Sequence, residues 1–175
     1  MKMRSVTFAA LAFLLTTLPS LAAAGEPRNM LIHVKTALSK DDAQICAVPN
    51  VAWAAIEAGN RVTLLFDASA VTSVTKGWGW RGWLGATRTP MDRAGLPERE
   101  RQALSEQLGY PLDKIPHDYG EYLHFLKTKG VKLYINKTMT VLYDIPGNRI
   151  DPVLTPVGLK EMVTLFAGAD QYLVY

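Results

Sequence analysis

Cysteine and histidine are the residue types that most readily do covalent or metal chemistry, and the 175 residues hold one cysteine, Cys46, and three histidines, His33, His117 and His124. A thiol acts as nucleophile or carrier only where its pKa is lowered and it stays accessible. Cys46 falls in an apolar helical region, where a lone cysteine usually packs as a small hydrophobe. Two roles stay open for it: packing, or a thiol that carries a group. His33 lies inside a strand and reads as a satisfied core or sheet-end residue. His117 precedes a helix and His124 lies within it, so the two need not share a face. Zinc or copper would need ligands at short fixed spacings or a cysteine pair. Neither occurs, so no metal is expected, and no other cofactor is called for. A phosphate loop and a GxSxG nucleophile turn are also absent from the sequence.

The stretch KGWGWRGWLG, from Lys76 to Gly85, places Trp78, Trp80 and Trp83 among glycines. It is too glycine-rich for a helix and too irregular for a strand. The indoles have three readings: packed cover over the sheet end or a neighbouring subunit, an aromatic lid or docking surface on glycine hinges, or a membrane-interface contact helped by Arg81 and Arg88. Trp53, in the first helical region, reads as core.

These groups must be positioned by a fold that begins after the first 24 residues. Lys2 and Arg4, the apolar run Val6 to Leu18 and the small residues Ala22 to Ala24 have the form of a cleaved secretory signal. The apolar run is too short to span a bilayer comfortably. The sequence therefore predicts an exported protein, in a bacterial periplasm if the source is bacterial. Removing 24 of 175 residues leaves 151, enough for one domain with a real core. Without Lys2 and Arg4 the formal charge falls from +3 to +1. That balance excludes a nucleic-acid footprint. With one cysteine there is no internal disulfide, so the core alone holds the domain.

Strand-length apolar runs alternate with helical patterns along the rest. NMLIHVKT from Asn29 is apolar throughout except for His33, as a strand buried on both faces would be. A helix follows, with Ser39 and Asp42 resembling a capping box and Gly59 at its end. Pro49 leaves two options: a helix that kinks there, or one that starts there after a separate turn. RVTLLFD from Arg61 and VKLYI from Val131 are further strands, and QYLVY closes the chain as the last. The charged segment Leu96 to Gly109 is a solvated helix. Another is capped by Asp118 and stopped by Gly130, and TMTVLYDI from Thr138 is a short helix. Thr155 and Pro156 read as the cap and first position of a final helix.

This alternation calls for a mainly parallel sheet covered on both faces. Such sheets bind ligands at the carboxyl ends of their strands. Those ends fall at Lys35 to Lys40, Asp67 to Thr72 and Asn136 to Met139, and the tryptophan stretch, with Trp78 and Trp80, leaves the second strand on the same side. Lys35, Asp67, Asn136, Trp78 and Trp80 are accordingly the candidate ligand-binding residues.

The segments EAGNRVTLLFD, YLHFLKTKGVKLYIN and GLKEMVTLFAGADQYLVY resemble the DsrE/DsrF-like family of small sulfur-relay proteins over essentially all of the mature chain. The resemblance implies a flavodoxin-like three-layer α/β/α fold, assembly as a trimer or hexamer, and persulfide sulfur carried on a cysteine just after the third strand. The position that matches that cysteine is Asn136. A carboxamide cannot form a persulfide, whereas it is a good helix cap. The expectation is therefore a binding or accessory protein without catalysis, for a small molecule or protein partner at the strand ends, in a sulfur- or redox-related pathway. A carrier that works through Cys46, and a structural subunit of an oligomer, are the alternatives.

Overall fold

A computed structural model describes residues 26–77 and 87–175. The expected signal segment, 1–24, and Trp78, Trp80 and Trp83 lie outside the described residues. Among the described residues the chain builds five parallel strands: β1 (Asn29–Val34), β2 (Arg61–Phe66), β3 (Lys132–Asn136), β4 (Thr155–Val157) and β5 (Gln171–Val174). The α-helices of the same residues are α1 (Asp42–Glu57), α2 (Pro90–Arg93), α3 (Glu98–Leu108), α4 (Tyr119–Thr128), α5 (Lys137–Leu142) and α6 (Leu159–Ala167). The strand order across the sheet is β4-β3-β2-β1-β5. The architecture is the α/β, flavodoxin-like one that the sequence predicts.

Strand alternation divides the core between two faces. Ile32, Val34, Leu64, Phe66, Leu133 and Ile135 point to one face, where α1 and α4 pack. Leu31, Leu65 and Val157 point to the other, against Met162 of α6, with Tyr134 and Leu165 beside them. The handedness of parallel crossovers explains the split. The steps from β1 to β2 to β3 move one way across the sheet, while the step from β4 to β5 moves back past them, so α6 must lie on the opposite face.

Trp53 of α1 anchors the first face. It is fully buried, and its ring meets Tyr110, Tyr122 and Phe125 edge-on at centroid distances of 5.1, 5.7 and 4.7 Å. Its indole N–H donates to Glu57 at 3.0 Å, so the buried donor is satisfied. Helix α4 begins as expected, with the Asp118 carboxylate accepting from the Glu121 N–H at 2.8 Å, and ends before Gly130, which sits at φ +92°.

Two helix starts differ from expectation. Helix α1 is capped by Asp41, which accepts from the Gln44 N–H at 3.1 Å, in place of Ser39, and it runs through Pro49 to Glu57. Thr155 and Pro156 do not open the last helix. They belong to β4, an edge strand that pairs only with β3, where proline's missing N–H is tolerated. Helix α6 starts after Gly158, whose N–H donates to Glu161 at 2.8 Å.

Truncating Trp53 to alanine should lower the unfolding free energy by about 3–5 kcal/mol, read from urea titration. A loss below about 1 kcal/mol would contradict the anchoring role given to the ring.

Candidate functional site

In open parallel sheets the binding crevice forms at the carboxyl ends of the strands where the chain reverses direction across the sheet. Here the reversal lies between β1 and β5, and a continuous run of hydrogen bonds crosses it. The Tyr172 hydroxyl of β5 is 2.6 Å from His33 Nδ1 of β1, and His33 Nε2 is 2.8 Å from Asp67 Oδ2 at the end of β2. The other Asp67 oxygen, Oδ1, accepts from Asn136 Nδ2 at the end of β3, at 2.6 Å. His33 is 5% exposed and Tyr172 50%, so the run leads from the sheet interior to solvent. Phe166 of α6 packs on both rings, with centroids 5.4 Å from His33 and 5.8 Å from Tyr172.

The protonation states follow from the carboxylate. The His33 hydrogen bond holds the Asp67 carboxyl down at about 2. Partial burial opposes this, and the amides of Asn136 and Ala68 add to the lowering. An ionised carboxylate only accepts, so with a neutral imidazole Nε2 carries the ring hydrogen and donates to Asp67. His33 Nδ1 is then an acceptor, and Tyr172 donates its phenolic hydrogen to it. The phenol itself is pushed above its ordinary range by burial and by the negative charge of Asp67. The arrangement can move a proton between an accessible hydroxyl and an imidazole backed by a fixed anion.

Of the residues expected to form the site, Asp67 and Asn136 meet directly. The Asn136 oxygen also accepts from the Thr138 and Met139 N–H groups at 2.8 and 3.3 Å, so this side chain caps α5. Lys35 is exposed, and its backbone is tied on both sides: its N–H donates to the Tyr175 carbonyl at 2.6 Å, and its carbonyl accepts from the Ser69 hydroxyl at 3.0 Å. Ser69 and Ser73, in the short 3-10 helix 68–74 after β2, also accept from the Ala37 and Leu38 N–H groups at 3.0 and 2.8 Å. They pin the loop that follows β1. Trp78 and Trp80 lie outside the described residues.

Cys46 is not brought to this run. It sits on α1, across the sheet from His33, and lines a shallow depression of about 390 Å³ with Asp42, Asn50, Glu100 and Tyr119. Burial pushes its thiol pKa up, and the charges of Glu100 and Asp42 add to this. The Glu100 carboxylate nearby is satisfied by Asn50 at 2.9 Å and by the Tyr119 hydroxyl at 2.8 Å. His124 pairs with buried Asp151 at 3.2 Å, on a different element from His33. Among the described residues no group of histidines, cysteines and carboxylates could hold a metal ion.

Sequence reasoning missed Tyr172 and read His33 as a satisfied core or sheet-end residue with no part in the site. Both lie on the α6 face of neighbouring strands, and the signal was their place in the period-2 alternation. It becomes readable only once the last strand is known to pair with the first.

No family model matches the chain, and no curated protein matches it in sequence. Among solved structures, the YchN protein from E. coli is similar, with a TM-score of 0.52 at 14% identity, over 85% of this chain and 99% of that one. At that identity the likeness is one of fold, the parallel α/β architecture described above.

The Asp67 carboxyl titrates lower in the folded chain than its ordinary 3.8, so its ionised form stabilises the fold above that value and the contribution disappears as pH falls toward 2. Asp67→Asn should therefore cost about 1–2 kcal/mol at neutral pH, after allowing for solvent screening. The gap to wild type should close between pH 3.8 and 2, measured by thermal unfolding across pH. A gap unchanged at the acid end would show that the charge of Asp67 is not what stabilises.

Proposed function

We propose that the protein is an exported, DsrE-like binding or accessory module in a sulfur- or redox-related pathway, and that it carries no sulfur itself. Its small-molecule or protein partner docks at the carboxyl ends of β1, β2 and β3, beside Lys35, Asp67 and Asn136, and Trp78 and Trp80, outside the described residues, are the further side chains that the sequence offers to it. The observation that carries this reading is the state of Asn136. It occupies the position that the resemblance gives to a persulfide cysteine, and its carboxamide is engaged by Asp67 on one side and by two backbone N–H groups on the other.

The second reading, a carrier that acts through Cys46, draws support from the depression that this thiol lines. Against it stands the raised thiol pKa, since thiolate is the reactive form. Cys46→Ser should leave activity in the pathway intact, and native Cys46 should label slowly with a thiol reagent. Fast labelling together with failed complementation by the mutant would favour the carrier. Intact mass spectrometry of the exported protein without reductant tests both readings, and signal cleavage with them.

The same proposal includes self-assembly as a trimer or hexamer. Val141 and Leu142 of α5 and Leu159 and Val163 of α6 are large apolar side chains left at the surface, on helices that follow the adjacent strands β3 and β4. Contiguous exposed apolar surface marks association sites, and Leu159 and Val163, four residues apart, share one face of α6. Light scattering should report a trimer or a multiple of it, and Leu159→Glu with Val163→Glu should shift the protein to monomer while it stays folded. A wild-type monomer at micromolar concentration would defeat this part.

A further inference from the structure

The strand ends hold a reactive arrangement of which the binding reading uses only Asp67, and which stands independently of it. We propose that Tyr172 is a covalent acyl-acceptor site, activated by His33 and Asp67, for small neutral acyl donors such as aryl esters.

Geometry carries the argument. The order hydroxyl, imidazole, carboxylate, with separations of 2.6 and 2.8 Å, is the order that makes a weak nucleophile competent. The orientation of each member is fixed. Asp67 is held by Asn136 as well as by His33, and His33 is clamped between β2 and β5 under Phe166. The member at the nucleophile position is the most open of the three, the Asp67 side chain being 15% exposed and that of His33 7%. Tyr172 is half exposed while His33 is buried, so a reagent meets the hydroxyl and not the base. Tyr119 makes the contrast: it is 4% exposed and donates to the Glu100 carboxylate, with no imidazole to take its proton.

The surroundings select the donor. The Asp67 anion, one imidazole away, disfavours negatively charged compounds. Phe166 and Val174 are partly exposed beside Tyr172 and offer an apolar surface to an aryl or short alkyl group. In the step, Tyr172 Oη bonds to the carbonyl carbon of the ester while its proton passes to His33 Nδ1, and the resulting imidazolium is held by Asp67. The tetrahedral adduct then expels the aryloxide, which leaves with the proton from His33. The products are acyl-Tyr172 and a phenol, with no oxidant or reductant and no net change of charge. Because the phenol is not ionised at rest, reaction depends on that proton transfer.

The test uses the purified full chain in excess over p-nitrophenyl acetate, with p-nitrophenol release followed optically and the acetyl group located by peptide mass spectrometry. We expect acetylation at Tyr172, its absence in Tyr172→Phe, and a rate lower by about 100-fold in His33→Gln and in Asp67→Asn, the usual contribution of a positioned general base. Far-ultraviolet circular dichroism checks that each variant is folded. If His33→Gln does not fold, Asp67→Asn decides alone. Acetyl found only on lysines or Cys46, or Tyr172 acetylated equally fast in Asp67→Asn, would overturn the proposal and would leave the binding reading untouched.

Discussion

Much of the molecule turns on one carboxylate. Asp67 is the residue at which β2 ends, and its two oxygens reach sideways to the ends of β1 and β3, through His33 and Asn136. A parallel sheet has no hairpins to align its strands, so their relative heights must be set by side chains of this kind and by the ladder itself. Asn136 passes the constraint on: the same side chain that holds Asp67 starts α5. The backbone yields to it as well, since Ala68, immediately after the carboxylate, takes φ +45°, a region that residues with a Cβ seldom enter. Strain at such a point is a mark of functional regions when the surrounding structure enforces it.

The fold was largely readable because buried parallel strands announce themselves as short apolar runs and helices by their caps. Asn29–Val34, Arg61–Phe66 and the Asp118 cap all stand where the residues imply. Of the two misread helix starts, the second is the more instructive. Thr155 followed by Pro156 satisfies the local rule for a helix start, and the same two residues equally suit a short edge strand, where no neighbour needs the missing N–H. Local chemistry could not choose between them, because the choice depends on the distant strand β3.

The site was legible by halves. Asp67 and Asn136 follow directly from the rule that ligands gather at strand ends. His33 and Tyr172 are separated by 139 positions and meet only because the last strand joins the sheet beside the first. The alternation of side chains then puts both on the face that carries α6. Sequence shows which face each strand residue takes within its own strand, yet it does not show which strands are neighbours. Polar pairs across such a junction are therefore the part of an α/β site that needs three dimensions to be seen.

The two borders of the sheet are unequal. β4 spans three residues, and one of them, Pro156, has no N–H to offer, whereas β5 presents a longer border beyond β1. Fibrous growth by edge addition requires that every incoming chain find a usable border on both sides. With one border shortened and interrupted, stacking of sheets edge to edge ends after two copies. The proline that misleads a reader of the sequence thus guards the protein against polymerising through its own sheet.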